Sequence, residues 1–131
     1  MDLEFVRDLF APFGPITIRR MFSGAGLFRD GLMFGLIVRE AIYLKADETT
    51  APDFTREGCG PFTYSRGKNS GRPKQHALPY WRLPERLYDD PDELAQWAHK
   101  AFDVALRKAV KKREKKRKPK PAKQRATKQR K

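Results

Sequence analysis

The stretch ITIRRMFSGAGLFRDGLMFGLIV, from Ile16 to Val38, decides the fold of this chain. Its β-branched and large apolar residues predict a strand over Ile16 to Phe22. The glycine-rich segment Ser23 to Gly26 predicts a turn or a bulge. Asp30-Gly31 suits the positive φ angles of a type I′ turn, and the apolar runs on both sides of it predict a β-hairpin. The stretch therefore indicates an antiparallel sheet.

Weaker patterns outside this stretch extend the sheet and cover it with helices. Apolar residues recur at helical spacing over 3–11, and Asp90-Pro91 opens a longer amphipathic helix with an N-cap and a first-position proline. The other predicted elements are a strand at 41–46 after an Arg39-Glu40 turn, a short helix within 47–58, and strands at 62–64 and 78–83. The order is α-β-β-β-β-α-β-β-α. We expect a two-layer α+β fold, with helices on an antiparallel sheet of about five or six strands.

The charge of the chain is concentrated at one end. Its 131 residues include 29 Lys and Arg against 16 Asp and Glu, a formal net charge of +13. Residues 107–131 contribute +14, with Glu114 as their one acid, whereas residues 1–106 contribute −1. We therefore expect a folded domain over 1–106 and a Lys/Arg-rich tail over 107–131. The tail should prolong the last helix over 111–117 until the prolines at 119 and 121, and should be disordered from Lys118.

Composition also predicts the cellular setting. A single cysteine cannot form an internal disulfide, and the first residues lack the basic start of a signal peptide. The longest apolar run, 32–38, is far below the roughly 18 residues of a membrane span. We expect a protein of the cytoplasm, close to the nucleoid, with no membrane partner.

Ordered blocks of the sequence resemble the N-terminal domain of the TfoX/Sxy family. The first block runs from Arg20 to Ile37, and later blocks follow at suitable spacing, so the resemblance covers roughly residues 5–106. The positions that carry it are Arg20, Met21, Phe22, Gly24, Gly26, Asp30, Gly31, Phe34, Tyr43, Leu44, Lys45, Pro61, Phe62, Tyr64, Leu83 and Pro84. The resemblance implies a small α+β domain of bacterial regulators of natural competence, whose members act as transcriptional co-activators beside a cyclic-AMP receptor protein.

The sequence departs from the family pattern in two places. Ser23 stands where the family usually has glycine. The basic tail stands where full-length competence regulators of the family have a second domain, so we expect a single-domain member. The resemblance implies no catalytic residue.

The basic tail is the strongest candidate binding site. Flexible cations favour polyanions because phosphate contacts release counterions, whereas bases are read by positioned side chains. We predict mostly non-specific nucleic-acid binding by Lys111, Lys112, Arg113, Lys115, Lys116, Arg117, Lys118, Lys120, Lys123, Arg125, Lys128, Arg130 and Lys131. A polar loop at 65–75 extends this surface with Arg66, Lys68, Arg72 and Lys74, near the stacking candidates Tyr64, Tyr80 and Trp81.

Other interpretations stay open. The tail is also typical of a solvated segment without a specific partner, and an exposed sheet face or edge is typical of a homodimer. A small enzyme or ligand-binding domain would use the Ser23 to Gly26 turn and Cys59, although that turn lacks the helix that follows a dinucleotide-binding loop. We predict a non-enzymatic regulatory module without cofactor or metal, whose protein partner is a transcription factor or the polymerase.

Overall fold

The structure is a computed structural model of the chain, and it describes residues 1–21, 23–66 and 74–117. Its elements are α1 (Leu3–Leu9), β1 (Thr17–Met21), β2 (Gly24–Arg29), β3 (Leu32–Val38), β4 (Ala41–Lys45), α2 (Ala51–Arg56), β5 (Pro61–Arg66), β6 (Lys74–Arg82), a 3-10 helix (Glu85–Asp89) and α3 (Pro91–Arg117). The strands form one six-stranded antiparallel sheet in the order β1-β2-β3-β4-β6-β5. The predicted α+β fold is confirmed; the 3-10 helix has no counterpart in the sequence patterns.

The core lies between one face of the sheet and the helices. α3 packs across β3 and β4, and its residues Leu94, Ala98 and Val104 are fully buried. The rings of Phe10 and Phe34 meet edge to face, with centroids 5.8 Å apart, where the end of α1 reaches the sheet. No helix in the described ranges combines the length and the apolar composition needed to cross a bilayer.

Gly24 and Gly26 belong to a strand, so the predicted turn or bulge over Ser23 to Gly26 is wrong for its last three residues. Gly24 opens β2 and pairs with Met21 of β1. A methyl group added at Gly24 would collide with the carbonyl oxygen of Ile37 on the neighbouring strand. The glycine is needed here because the backbones approach closely, which local sequence cannot distinguish from a turn.

Replacing Gly24 by alanine should destabilise the fold by about 1–3 kcal/mol, because β2 and β3 must separate to admit the methyl group. Urea unfolding followed by circular dichroism measures the change. Gly60→Ala is the matched control, since a methyl group at Gly60 meets no atom within 4 Å. Equal unfolding midpoints for the two variants would contradict this packing argument.

Two-residue turns join β2 to β3 and β3 to β4. Asp30 and Gly31 have φ angles of 51° and 79°, which agree with the predicted type I′ turn. Arg39 and Glu40 also adopt positive φ angles, 50° and 65°, although neither residue type favours them. The second turn therefore holds backbone strain that the first turn avoids.

Replacing Arg39-Glu40 by Asn-Gly should stabilise the protein by about 1 kcal/mol, because both new residues tolerate positive φ. The substitution also removes the ion pair between Glu40 and the amino group of Met1. This pair is exposed and contributes little to stability. The thermal unfolding midpoint should rise, whereas Asp30→Asn in the other turn should leave it unchanged. A lower midpoint for the Asn-Gly variant would show that the turn is not strained.

The β5–β6 hairpin is longer than the sequence predicts. β5 reaches Arg66 and β6 starts at Lys74, and these two residues are backbone partners. The ends of the predicted 65–75 loop are therefore strand. The polar residues at these ends do not predict a strand. An antiparallel pair of strands can nevertheless continue there, because its hydrogen bonds join main-chain groups and do not depend on the side chains.

Candidate nucleic-acid interface

α3 lies on the sheet over its first half and leaves it over its second half. Asp90 caps its start, where its carboxylate accepts a hydrogen bond from the Glu93 amide at 3.2 Å. Arg86 holds the first turn further, through ion pairs with Glu57 and Glu93 at 2.8 Å each. The buried stripe of the helix ends at Ala105, and beyond it the exposed fractions of Leu106 and Val110 are both 44%. The helix continues to Arg117 without further support from the core.

The far half of α3, β3 and the end of β4 border an open cleft of about 810 Å³, which we call the lysine cleft. Its floor is formed by Leu32 and Met33 at the start of β3. Five ammonium groups and one carboxylate surround it, from Lys45, Lys108, Lys111, Lys112, Lys115 and Glu114. Among the described residues, none of the five lysines forms an ion pair with a carboxylate. The cleft therefore holds an excess of positive charge.

The electrostatics at Lys45 show that this excess is felt inside the cleft. Burial lowers the pKa of Lys45 from its usual value, and the nearby positive charge of Lys108 lowers it further. Both effects disfavour the charged ammonium, and an anion bound beside Lys45 would oppose them by favouring the charged form. The Lys45 Nζ also lies 5.3 Å from the centroid of the Tyr80 ring.

An ion pair fixes the place where α3 leaves the fold. The Arg107 guanidinium lies 2.8 Å from a carboxylate oxygen of Asp47, just after β4. Asp47 also accepts a 2.6 Å hydrogen bond from the Thr49 hydroxyl. The Thr49 hydroxyl and, to a smaller extent, Arg107 hold the pKa of Asp47 well below its usual value, against the opposing effect of burial. Asp47 thus stays ionised and keeps α3 beside Lys45.

Asp47→Asn should lower stability at neutral pH by about 0.5–1 kcal/mol, the size of a partly exposed ion pair. The folded-state pKa of Asp47 lies below the unfolded value of about 4, so its contribution is present above that pH and is lost as the pH falls. The difference in unfolding free energy between wild type and variant should therefore shrink toward about pH 3. Urea unfolding at both pH values tests this.

Asp103→Asn is the control, because Asp103 is an exposed residue of α3 without an ion pair among the described residues. It should match wild type at both pH values. A constant difference between Asp47→Asn and wild type across the pH range would contradict the role given to the charge.

The structure brings together some of the sequence-predicted cations and not others. Lys111, Lys112 and Lys115 line the lysine cleft, whereas Arg113 is exposed and does not. Lys116 and Arg117 complete α3. The tail residues from Lys118 onward lie outside the described residues, so their disorder and their binding role stay predictions.

The described ends of the predicted cationic loop, Arg66 and Lys74, lie at the same end of the sheet as the cleft. The last bond from β4 to β6 joins Ala46 to Pro79, and β6 extends beyond it for five residues, to Lys74. At about 3.4 Å per residue, the hairpin projects roughly 17 Å past Lys45. Arg66 and Lys74 stand at its described end, while Lys68 and Arg72 lie outside the described residues. The family position Phe22 lies outside them too.

The three predicted stacking aromatics divide between the two faces of the sheet. Trp81 faces the helices, where its ring centroid lies 6.1 Å from that of Phe54. Tyr64 and Tyr80 lie on the opposite face, and the Tyr64 ring stacks on His76 at 5.3 Å. Burial raises the pKa of Tyr80 to about 12, so its hydroxyl stays a neutral hydrogen-bond donor. Only the two tyrosines are placed to meet a ligand on the open face.

The rival catalytic candidates do not come together. Burial and the charge of Glu57 raise the pKa of the Cys59 thiol, which disfavours the reactive thiolate. His76 stacks on Tyr64, and the exposed His99 meets the Phe13 ring at 4.9 Å. Neither histidine lines the cavity beside Cys59. Within the described ranges, no group of His, Cys, Asp and Glu has the arrangement of a metal site.

Sequence reasoning missed Lys45 and Lys108 as site residues. Lys108, Lys111, Lys112 and Lys115 are spaced i, i+3, i+4 and i+7, which places them on one helix face and was a readable signal. The place of Lys45 in the cleft could not be predicted from neighbouring residues, because the lysines that it faces lie more than sixty positions further along the chain.

Comparison with known proteins supports the resemblance stated above. The family model described as TfoX N-terminal domain matches residues 8–105, which is most of the chain. A comparison with curated proteins gave no match.

Proposed function

Because the chain belongs to the TfoX N-terminal domain family, we propose that it is a regulatory, non-catalytic domain that associates with nucleic acid through phosphate contacts. The observation that carries the proposal is the lysine cleft, where four lysines of one helix face meet Lys45 and Glu114 is the one carboxylate among the described residues that line it. The sequence then continues with the basic tail, so the cleft begins a longer cationic surface.

The cleft suits phosphates better than cations without a fixed arrangement do. From Lys108 to Lys115 the helix rises about 10 Å, which is close to three steps along one DNA strand. Its lysines lie on a helix whose direction is set by the Asp47–Arg107 pair, so less backbone freedom is lost on binding. A fixed face of ammonium groups therefore adds affinity to the counterion release expected of the tail.

Phosphate contacts position a protein on nucleic acid but do not read its sequence. We therefore assign selectivity to a protein partner of the folded domain, a transcription factor or the polymerase, as expected of a competence-type regulator in the cytoplasm. That partner and a homodimer both stay predictions, as does the preference between DNA and RNA.

The test compares two full-length variants with the same loss of charge. The cleft variant replaces Lys108, Lys111, Lys112 and Lys115 by glutamine, and the tail variant replaces Lys118, Lys120, Lys123 and Lys128 by glutamine. Fluorescence anisotropy over a salt series measures affinity for duplex DNA, single-stranded DNA and structured RNA. The cleft variant should lose more affinity, and its slope of log K against log[salt] should fall by up to about 3–4.

Two results would contradict the proposal. If wild type does not bind any of the three nucleic acids at physiological salt, phosphate binding is not the function. If the two variants lose the same affinity, total charge decides binding and the cleft has no special part. Circular dichroism shows whether the cleft variant keeps α3.

A further inference from the structure

The sheet face opposite the helices forms an apolar groove of about 600 Å³. Met21, Met33 and Leu36 line it from β1 and β3, and Phe62, Tyr64 and Tyr80 line it from β5 and β6. No helix within the described residues lies on this face. The groove is therefore a concave apolar surface on one face of the sheet. One wall comes from β1 and β3, and the other comes from β5 and β6.

The walls of the groove are already ordered by contacts within the chain. Tyr80 is only 7% exposed and Leu36 only 8%, although neither faces the helices. Tyr43 supports Phe62 from β4, with ring centroids 5.4 Å apart in an edge-to-face contact. The groove therefore keeps its shape without an occupant, as small-molecule sites usually do.

Two methionines make part of the groove adaptable. The side chains of Met21 and Met33 close over Gly26, so that an added methyl group there would lie 2.9 Å from the methyl carbon of Met21 and 3.0 Å from the sulfur of Met33. Methionine is unbranched and polarisable, and it packs well against apolar ligands of varied outline. The groove thus suits a flat or chain-like apolar body and does not demand one outline.

The apolar groove and the lysine cleft adjoin each other at Met33. Met33 lines both cavities. Tyr80 lines the groove, and the Lys45 Nζ lies 5.3 Å from the centroid of its ring. Lys45 has no carboxylate partner among the described residues, and Lys108 lies beside it in the cleft. A molecule in the groove would therefore present one end to an unneutralised ammonium group.

We propose that the apolar groove binds a small amphipathic organic anion, whose apolar body packs on the wall that contains Met33 and Tyr80 and whose acidic group pairs with Lys45. The volume is within the range of about 300–1,000 Å³ that holds small ligands. Charge complementarity at one end and an apolar lining elsewhere favour this occupant over a neutral ligand. The proposal goes beyond nucleic-acid association and does not depend on it, because it needs only Lys45 and the groove.

Two probes with the same apolar body separate the two halves of the site. Anilinonaphthalene sulfonate carries an anionic group, and N-phenyl-1-naphthylamine is its neutral counterpart; both fluoresce when they enter apolar sites. Wild type should bind each at one saturable site, and the sulfonate more tightly. Lys45→Met should weaken sulfonate binding at least fivefold and leave the neutral probe unchanged. Lys100→Met, which removes a lysine from α3 away from the cleft, should change neither.

A groove variant shows where the probes bind. Leu78 lines the groove at a partly exposed position, so Leu78→Glu places a carboxylate there at little cost to the core. Both probes should lose at least tenfold in affinity, and Leu78→Gln repeats the test without the charge if the glutamate variant fails to fold. Unchanged sulfonate binding to either Leu78 variant would show adsorption to surface lysines and would overturn the proposal.

Three further results would also overturn it. The first is the absence of saturable binding of either probe to folded wild type. The second is equal sulfonate affinity of wild type and Lys45→Met. The third is a combination of two observations: probe binding falls as the protein concentration rises, and light scattering shows a dimer at the same concentrations. A second copy of the chain would then occupy the groove. None of these measurements contains nucleic acid, so failure here leaves the phosphate-binding proposal to its own test.

Discussion

The packing of α3 across β3 and β4 is the contact on which both cavities of this protein depend. Small residues on the buried stripe, Ala98 and Ala101 among them, let the helix lie close to the sheet, while Leu94 and Val104 fill the spaces between strands. The stripe ends at Ala105, and the Asp47–Arg107 pair sets the direction in which the helix leaves. Without this contact the lysines of α3 would not face Lys45, and the lysine cleft would not exist.

The same contact leaves the other face of the sheet without a helix. With α3 and α1 on one side, the apolar residues of the opposite face can bury themselves only by curvature of the sheet. The bulge between Leu27 and Phe28 and the glycine at position 26 fit that curvature, because both allow strands to bend and side chains to fold inward. The apolar groove is thus a consequence of the same two-layer arrangement.

Elements that depend on local signals were predictable from the sequence. The Asp30-Gly31 turn, the capped start of α3 and the order of elements along the chain follow from residue preferences and spacing alone. Gly24 was misassigned because a glycine needed for close strand approach has the same local pattern as a glycine in a turn. The β5–β6 hairpin was underestimated because its pairing rests on main-chain bonds that leave no trace in polar sequence. The lysine face of α3 could be predicted from the spacing of its residues. Its position beside Lys45 depends on tertiary structure, and so does the placement of Met21 and Tyr64 in the lining of one groove.

Lys45 belongs to the lysine cleft and also stands at the mouth of the apolar groove, and one ammonium group can neutralise only one anion at a time. Ligands that share a charge are thermodynamically linked, and each lowers the affinity of the other by the same factor. A small anion seated in the groove would therefore loosen the hold of α3 on a phosphate chain, and a bound phosphate chain would expel the small anion. If both proposed ligands bind, this one residue would couple the occupancy of a metabolite-sized site to attachment to a polymer, and the coupling would need no movement of the backbone.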